Sequence, residues 1–213
     1  MNIFEIYKNF RIPPNLQEHM FRVFGVIYFA EEHWTGEKVD WNLVKKIALL
    51  HDMGNIIKFN LDAHPEFLGS EKSNIEHWKN VREETIQKYG LDEEEATKKM
   101  LQEVGIDENA IKIIEDKAFG NSVGVKDSTD WHLKLLYYAD LRTLPFGVGT
   151  LDERLADVRG RMPKYTSRPD FEDLVSACRD IEKQIQENLD IPVLKIIDEN
   201  TKFDQNILNT FQI

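Results

Sequence analysis

Four ionisable residues stand where a helical pattern should carry apolar ones or end. His19 follows Leu16 by three positions and precedes Val23 by four. His51 follows Ile47 by four and Val44 by seven, and Asp140 follows Leu136 by four and Leu133 by seven. Residues at these spacings share one helix face, so each of the three projects from the buried stripe of its own segment. Asp52 is rotated from His51 by about 100° on an ideal helix, but the pair sits at a helix end, where Gly54 lets the backbone turn away. A core histidine is commonly a hydrogen-bonded packing residue, and a core aspartate a cap or a partner of arginine. The combination is harder to place in that way. Two buried carboxylates require positive charge, and of the basic residues only Arg22 borders these stripes. A divalent cation is the simplest counter-charge.

The segments that must position these residues read almost entirely as helix. Apolar residues recur at Leu16, Met20, Val23, Val26, Ile27 and Ala30, behind Pro13, Pro14 and a candidate N-cap at Asn15. Asp40 opens a second helix with Val44, Ile47 and Ala48 on one face, and the run "ALLHDMGN" carries it into the His51-Asp52 pair. Ile75, Trp78, Val81, Ile86 and Tyr89 form a third stripe closed by Gly90. Asp92 caps a helix with an acidic first turn, which the helix dipole favours, and Gly105 ends it. Asp107 opens a short helix. Leu133, Leu136 and Tyr137 stripe the next, which must stop before Pro145. Thr150 and Glu153 form a capping box ahead of Leu151, Leu155, Val158 and Met162. Phe171, Leu174, Cys178, Ile181, Ile185 and Leu189 mark what reads as the longest helix, and Pro192 separates it from a final Ile- and Leu-rich helical segment. Two loops remain. Residues 55–73 are long for a helix connection, a length often tied to function. The Gly-rich stretch from Phe119 to Thr129 holds the only candidate strand. With no repeat, low-complexity tract or linker, the expected fold class is all-α, a single domain over residues 1–213.

Composition narrows the function. The chain has 213 residues, of which 41% are hydrophobic and 31% charged, enough for a substantial core. A formal net charge of −11 argues against a nucleic acid duplex as partner, which requires a basic footprint. A small phosphorylated molecule is compatible, since a bound cation reverses the sign within one pocket. No apolar run is long enough to span a bilayer, so no membrane association is expected, and the N-terminal stretch lacks the blocks of a signal peptide. A single cysteine, Cys178, excludes an intramolecular disulfide, in keeping with a cytoplasmic location.

His19, the pair His51-Asp52 in "LLHDMGN" and Asp140 in "LYYADLRT" together resemble the HD superfamily of metal-dependent phosphohydrolases, named for the adjacent pair. The order and helical setting of the elements match from Leu16 to Arg161, with residues 169–213 expected as C-terminal helices packing on that core. The region "YADLRTLPFGVGTLDERLADVRGRM" is similar to uncharacterised bacterial and archaeal proteins of the superfamily. The resemblance implies an HD-type helical bundle holding one divalent metal ion through His19, His51, Asp52 and Asp140. Mixed imidazole and carboxylate ligation suits Mn, Fe, Co, Ni or Zn, and Mg less well. Such an ion leaves positions for a water and a phosphate oxygen, and so implies hydrolysis of a small phosphate ester, a nucleotide being one candidate. Two alternatives stand beside this reading: a non-catalytic HD module that binds a metal or ligand, and a di-iron HD-type oxygenase.

Departures from the family pattern matter as much. Nucleotide 5′-monophosphatases of the superfamily carry a Glu three residues after the pair's Asp; here Asn55 and Ile56 occupy that neighbourhood and neither can act as an acid. The two-metal phosphodiesterases carry extra histidines; His64 and His77 fall in the right interval, but both read as solvated surface residues. Around the metal, Arg22 lies one turn along from His19 and could grip a phosphate. Lys58 follows the HD turn and could do the same, while Asp62 in the long loop is a candidate proton donor. Arg142 points away from Asp140 on an ideal helix. Cys178 reads as a packing thiol, and Trp34, Trp41 and Trp131 as packing aromatics. Homo-oligomerisation is left open by the sequence.

Overall fold

The computed structural model describes residues 1–145 and 147–213, with Phe67 described by its backbone alone. The all-α expectation holds. The helices are α1 (Ile3–Asn9), α2 (Pro14–Glu32), α3 (Trp41–Ala48), α4 (Ile75–Tyr89), α5 (Glu93–Val104), α6 (Glu108–Asp116), α7 (Ser122–Asp127), α8 (Trp131–Arg142), α9 (Leu151–Arg161), α10 (Pro163–Thr166), α11 (Phe171–Glu187) and α12 (Asn206–Thr210). Short 3-10 turns occupy Asn55–Lys58, Pro65–Asn74, Phe119–Asn121 and Val193–Lys195. Among the described residues the sheet is one antiparallel ribbon, β1 (Thr143–Leu144) with β2 (Gly147–Val148), pairing Thr143 with Val148 and Leu144 with Gly147. No helix of the described residues is long and apolar enough to cross a membrane.

The chain divides into two compact units, neither contiguous in sequence: residues 1–21, 49–111 and 204–213 in one, 22–48 and 112–203 in the other. In the first, a capping box fixes α1, with Asn2 accepting from Phe4 N–H at 2.8 Å and Glu5 accepting from the Asn2 N–H. Asn2 also donates through its amide to the carbonyls of Leu208 and Asn209, binding α1 to α12. Ile3, Ile6, Met20, Leu49, Leu50 and Met53 are fully buried. Tyr7 is buried among them, and its hydroxyl donates to the Leu49 carbonyl at 2.6 Å. Asp92 caps α5 by accepting from Glu94 and Glu95 N–H, each at 2.9 Å, and Gly105 ends that helix in the left-handed region at φ 85°. Arg82 of α4 donates to the Ile57 carbonyl at 2.9 Å and so secures the 3-10 turn after the HD pair.

In the second unit α8 is buried on nearly every side, with Leu133, Leu135, Leu136, Tyr137, Tyr138, Ala139 and Leu141 all in the core. Helices α3, α9 and α11 pack around it, and α7 lies against α11. Asp40 caps α3, as its place before the apolar stripe leads one to expect, and Asp130 caps α8. Arg142, at the last turn of α8, is 1% exposed and holds four oxygens: Gly149 O at 2.5 Å, Tyr138 Oη at 2.6 Å, Ile196 O at 2.7 Å and Val193 O at 3.2 Å. A guanidinium is the one side chain whose planar array of donors can satisfy so many acceptors at once. It ties the ribbon to the segment after α11. Trp34 meets Trp41 and Trp131 edge to face, with ring centroids 5.8 and 5.1 Å apart, as packing aromatics do.

Several local expectations are corrected. Helix α2 starts at Pro14, so Asn15 lies inside the first turn and does not cap it; proline at the first position suits a helix because its missing N–H would have no partner there. At 19 residues α2 is also longer than α11, which has 17. The stretch Phe119 to Thr129 holds a 3-10 turn and α7, not a strand. At Gly124 a Cβ would come within 2.3 Å of Asn121 Oδ1, so the Asn121 side chain lies close over the glycine. The apolar run after Pro192 makes one 3-10 turn and the five-residue α12. Its Ile and Leu residues do not form a stripe: Ile196 is fully buried while Leu194 is 69% exposed.

Candidate metal centre

His19 is carried by α2, four positions before the buried Val23, as its spacing requires. His51 and Asp52 lie beyond the end of α3, which stops at Ala48, in a succession of turns. These turns are held from both sides. Tyr7 grips the Leu49 carbonyl before the pair. After it, the Gly54 N–H donates to Thr97 Oγ1 at 2.9 Å and the Asn55 N–H to the Asp52 carbonyl at 3.0 Å. Gly54 itself is right-handed, at φ −83° and ψ −5°. The glycine is needed for close approach: a Cβ would meet Glu93 O at 2.5 Å and Thr97 N at 2.7 Å. Burial of Tyr7 pushes its phenol well above its ordinary pKa, so it stays a neutral donor.

This scaffold turns three polar side chains toward one another. His19 Nε2 and His51 Nε2 are 3.3 Å apart. Asp52 presents Oδ2 to His19 Nε2 and Oδ1 to His51 Nε2, each at 3.5 Å. The His51 side chain is fully buried and those of His19 and Asp52 are 21% and 14% exposed. Atoms bound to one ion at about 2.0–2.2 Å lie about 3.4 Å apart at a tetrahedral edge and about 3.0 Å apart at an octahedral one. The observed separations fall at that scale. The donor set fits as well, since neutral imidazole nitrogens and a carboxylate are ligands of borderline divalent metals. The place of Asp52 beside both imidazoles rests on the two 3.5 Å separations. Asp140 belongs to the other compact unit.

Asp140 sits in the last turn of α8, and its Oδ2 accepts from Lys117 Nζ at 3.1 Å. The two side chains are 21% and 14% exposed. Lys117 had no signal in the sequence. It follows the end of α6, where a lysine is unremarkable because the helix dipole favours it, and its partner is 23 residues away.

The other candidates are placed as follows. Arg22 is half-buried and donates to the Pro145 carbonyl at 3.2 Å. Lys58 is exposed at the end of the 3-10 turn after the HD pair. Asp62 is 81% exposed and pairs with Lys79 of α4 at 2.5 Å. His64 is exposed and pairs with Glu66, and His77 is exposed with its ring against Trp78, both in keeping with surface positions. Asn55 is buried, 6% exposed, where the monophosphatase pattern has its acid. Arg142 is committed to the four oxygens already described. Cys178 is fully buried beside Tyr137 Oη at 3.2 Å, and burial raises its thiol pKa, which removes it as a nucleophile at neutral pH.

Comparison of the chain with protein-family models, with curated proteins and with solved structures finds no match.

Proposed function

We propose that this protein is an HD-type metal-dependent phosphohydrolase that cleaves a small phosphate ester. The observation that carries the reading is the meeting of His19, His51 and Asp52, with donor atoms 3.3 and 3.5 Å apart on a scaffold built around the turn that bears them. Asp140, in the other compact unit, is a fourth ligand only as the family resemblance implies it. When bound, a divalent ion lowers the pKa of a water held on it to near neutrality and offsets the charge of the phosphoryl group.

The chain's own residues do the rest. His51, fully buried on a turn anchored through Leu49 and Gly54, would be the most firmly placed ligand of a bound ion. His19 and Asp52 border the solvent-reachable side, so that is where water and substrate enter. Both imidazoles would hold the ion through Nε2, the ring nitrogen that each turns toward the other and toward Asp52. Arg22 and Lys58 are candidate phosphate contacts, and Asp62 a candidate proton donor to the leaving group. Asn55 in place of an acid points away from the nucleotide 5′-monophosphatase chemistry of the superfamily and toward another phosphate ester.

The test is metal analysis of the purified protein, followed by a panel of phosphomonoesters and phosphodiesters with Mn²⁺. One equivalent of metal per chain and Mn²⁺-dependent release of phosphate or of a phosphomonoester support the proposal. Metal without turnover on any panel member makes the protein a binding module, and iron-dependent oxygen consumption makes it an oxygenase.

A further inference from the structure

The second compact unit holds a cleft of about 490 Å³ that takes no part in the metal reading. It opens between the last turn of α2 and the start of α3, and every residue that lines it belongs to this unit. We infer that the cleft is a binding site for a small zwitterion, a free α-amino acid with an apolar side chain. The inference stands apart from the metal centre and does not depend on it.

The connector from α2 to α3, which carries much of the lining, is held along its length. Trp34 Nε1 donates to the Glu37 carbonyl at 2.8 Å, and the Thr35 N–H donates to the Asn188 carbonyl at 2.9 Å. At Gly36 a Cβ would meet Asn188 Oδ1 at 2.2 Å, so the connector lies tight against the end of α11. Its far end is fixed by the Asp40 N–H, which donates to His132 Nε2 at 3.1 Å. His132 Nδ1 lies 2.7 Å from Asp130 Oδ1. Both ring nitrogens of His132 are thus engaged, and its ring serves the cleft as a wall. A site held in place before its ligand arrives loses little freedom on binding.

The lining chemistry names the ligand. Val39, which is buried, and Trp41, fixed edge to face on Trp34, make its apolar part. Glu31 accepts from Lys45 Nζ at 2.9 Å through Oε2, and Asp40 accepts from the Leu43 N–H at 3.1 Å through Oδ1. Each carboxylate keeps a second oxygen that accepts from no group among the described residues. Lys38 is exposed and has no ion-pair partner among the described residues, in a chain whose net charge is −11. The charges of Glu31, Asp40, Lys38 and Lys45 cancel, so a bare cation meets Lys38 and a bare anion meets the carboxylates. A molecule carrying both an ammonium and a carboxylate pairs with each in turn and is repelled by neither. Its apolar side chain gains by covering Val39 and Trp41. The volume lies within the range of about 300–1,000 Å³ usual for small-molecule sites.

The experiment is calorimetry on the full chain with probes of one carbon skeleton: L-leucine, isoamylamine, which lacks the carboxylate, and isocaproate, which lacks the ammonium. Leucine is expected to bind saturably in the millimolar range or tighter, and each single-charge analogue about tenfold or more weakly, about 1.4 kcal/mol. Asp40→Asn and Lys38→Met then assign the charges. Asp40→Asn removes a carboxylate and keeps the cap of α3, because asparagine caps as well as aspartate. Lys38→Met removes the ammonium from an exposed side chain. Each variant is expected to weaken leucine binding by about fivefold or more. Thermal midpoints show that the variants fold, and if one does not, the other decides. Absence of saturable leucine binding at millimolar concentrations overturns the inference. So does an analogue that binds as tightly as leucine, since the cleft would then recognise a single charge. Unchanged leucine binding in the folded variants overturns it as well.

Discussion

Asp52→Ala tests the centre most directly. Asp52 is the residue whose two oxygens each face one imidazole at 3.5 Å, so its removal takes a charged ligand from between two neutral ones. An ion that binds the native state alone stabilises it by RT ln(1 + [L]/Kd), about 2.7 kcal/mol at a hundredfold excess over Kd. In a chain of this size each kcal/mol moves the melting midpoint by about 2–4 °C. Saturating Mn²⁺ or Zn²⁺ should therefore raise the parent's midpoint by roughly 5–11 °C. For Asp52→Ala the same addition should give less than about 2 °C, because the carboxylate that faces both imidazoles is gone. The readout is the metal-induced increment, measured by differential scanning fluorimetry against a chelator-treated control, with metal content by elemental analysis. His51→Ala should behave like Asp52→Ala. The exposed His64 and His77 supply the control, and their alanine variants should keep the full increment. An Asp52→Ala protein that retains one equivalent of metal and the parent's increment would refute the assignment of the turn as half of a metal site.

Three further outcomes test the scaffold. Arg142→Met should cost about 3–5 kcal/mol in urea unfolding, since it strands the carbonyls of Gly149, Val193 and Ile196 in the core; Arg142→Lys should not restore the loss, because one ammonium cannot reach acceptors spread over a guanidinium fork. Gly54→Ala should lower the melting midpoint by an amount corresponding to about 1–3 kcal/mol, because its Cβ meets the backbone of α5 at 2.5 and 2.7 Å; an unchanged midpoint would mean that the HD turn and α5 move apart freely. Cys178 should be silent to a thiol reagent at neutral pH in the folded protein and give one equivalent in denaturant, since it is buried and its thiol pKa is raised by that burial.

The residues readable from sequence are those whose signal is local. Asp40, Asp92 and Gly105 sit at helix ends because caps are chosen by the backbone groups within three or four residues of them, and a reader of the chain sees both partners at once. His19 and His51 were legible for a related reason: an ionisable residue on an apolar stripe contradicts its neighbours, and the contradiction is visible without knowing what resolves it. The misreadings come where tertiary packing chose. "SVGV" alternates like a strand, but α11 covers that stretch as a helix and Ser122 finds its partner on α8. The Ile- and Leu-rich tail looked helical by composition, yet the carbonyls of Val193 and Ile196 answer to Arg142, more than fifty residues away.

Lys117 shows why a site can be half legible. The ligands disturb a periodic pattern, so their spacing betrays them. Lys117 disturbs nothing: a lysine after a helix end satisfies the helix dipole and solvent equally well, and its partner Asp140 is 23 residues further on. The candidate ligands are thus written in the grammar of helices, whereas the pairing of Lys117 with Asp140 is written in contacts that only the fold assembles.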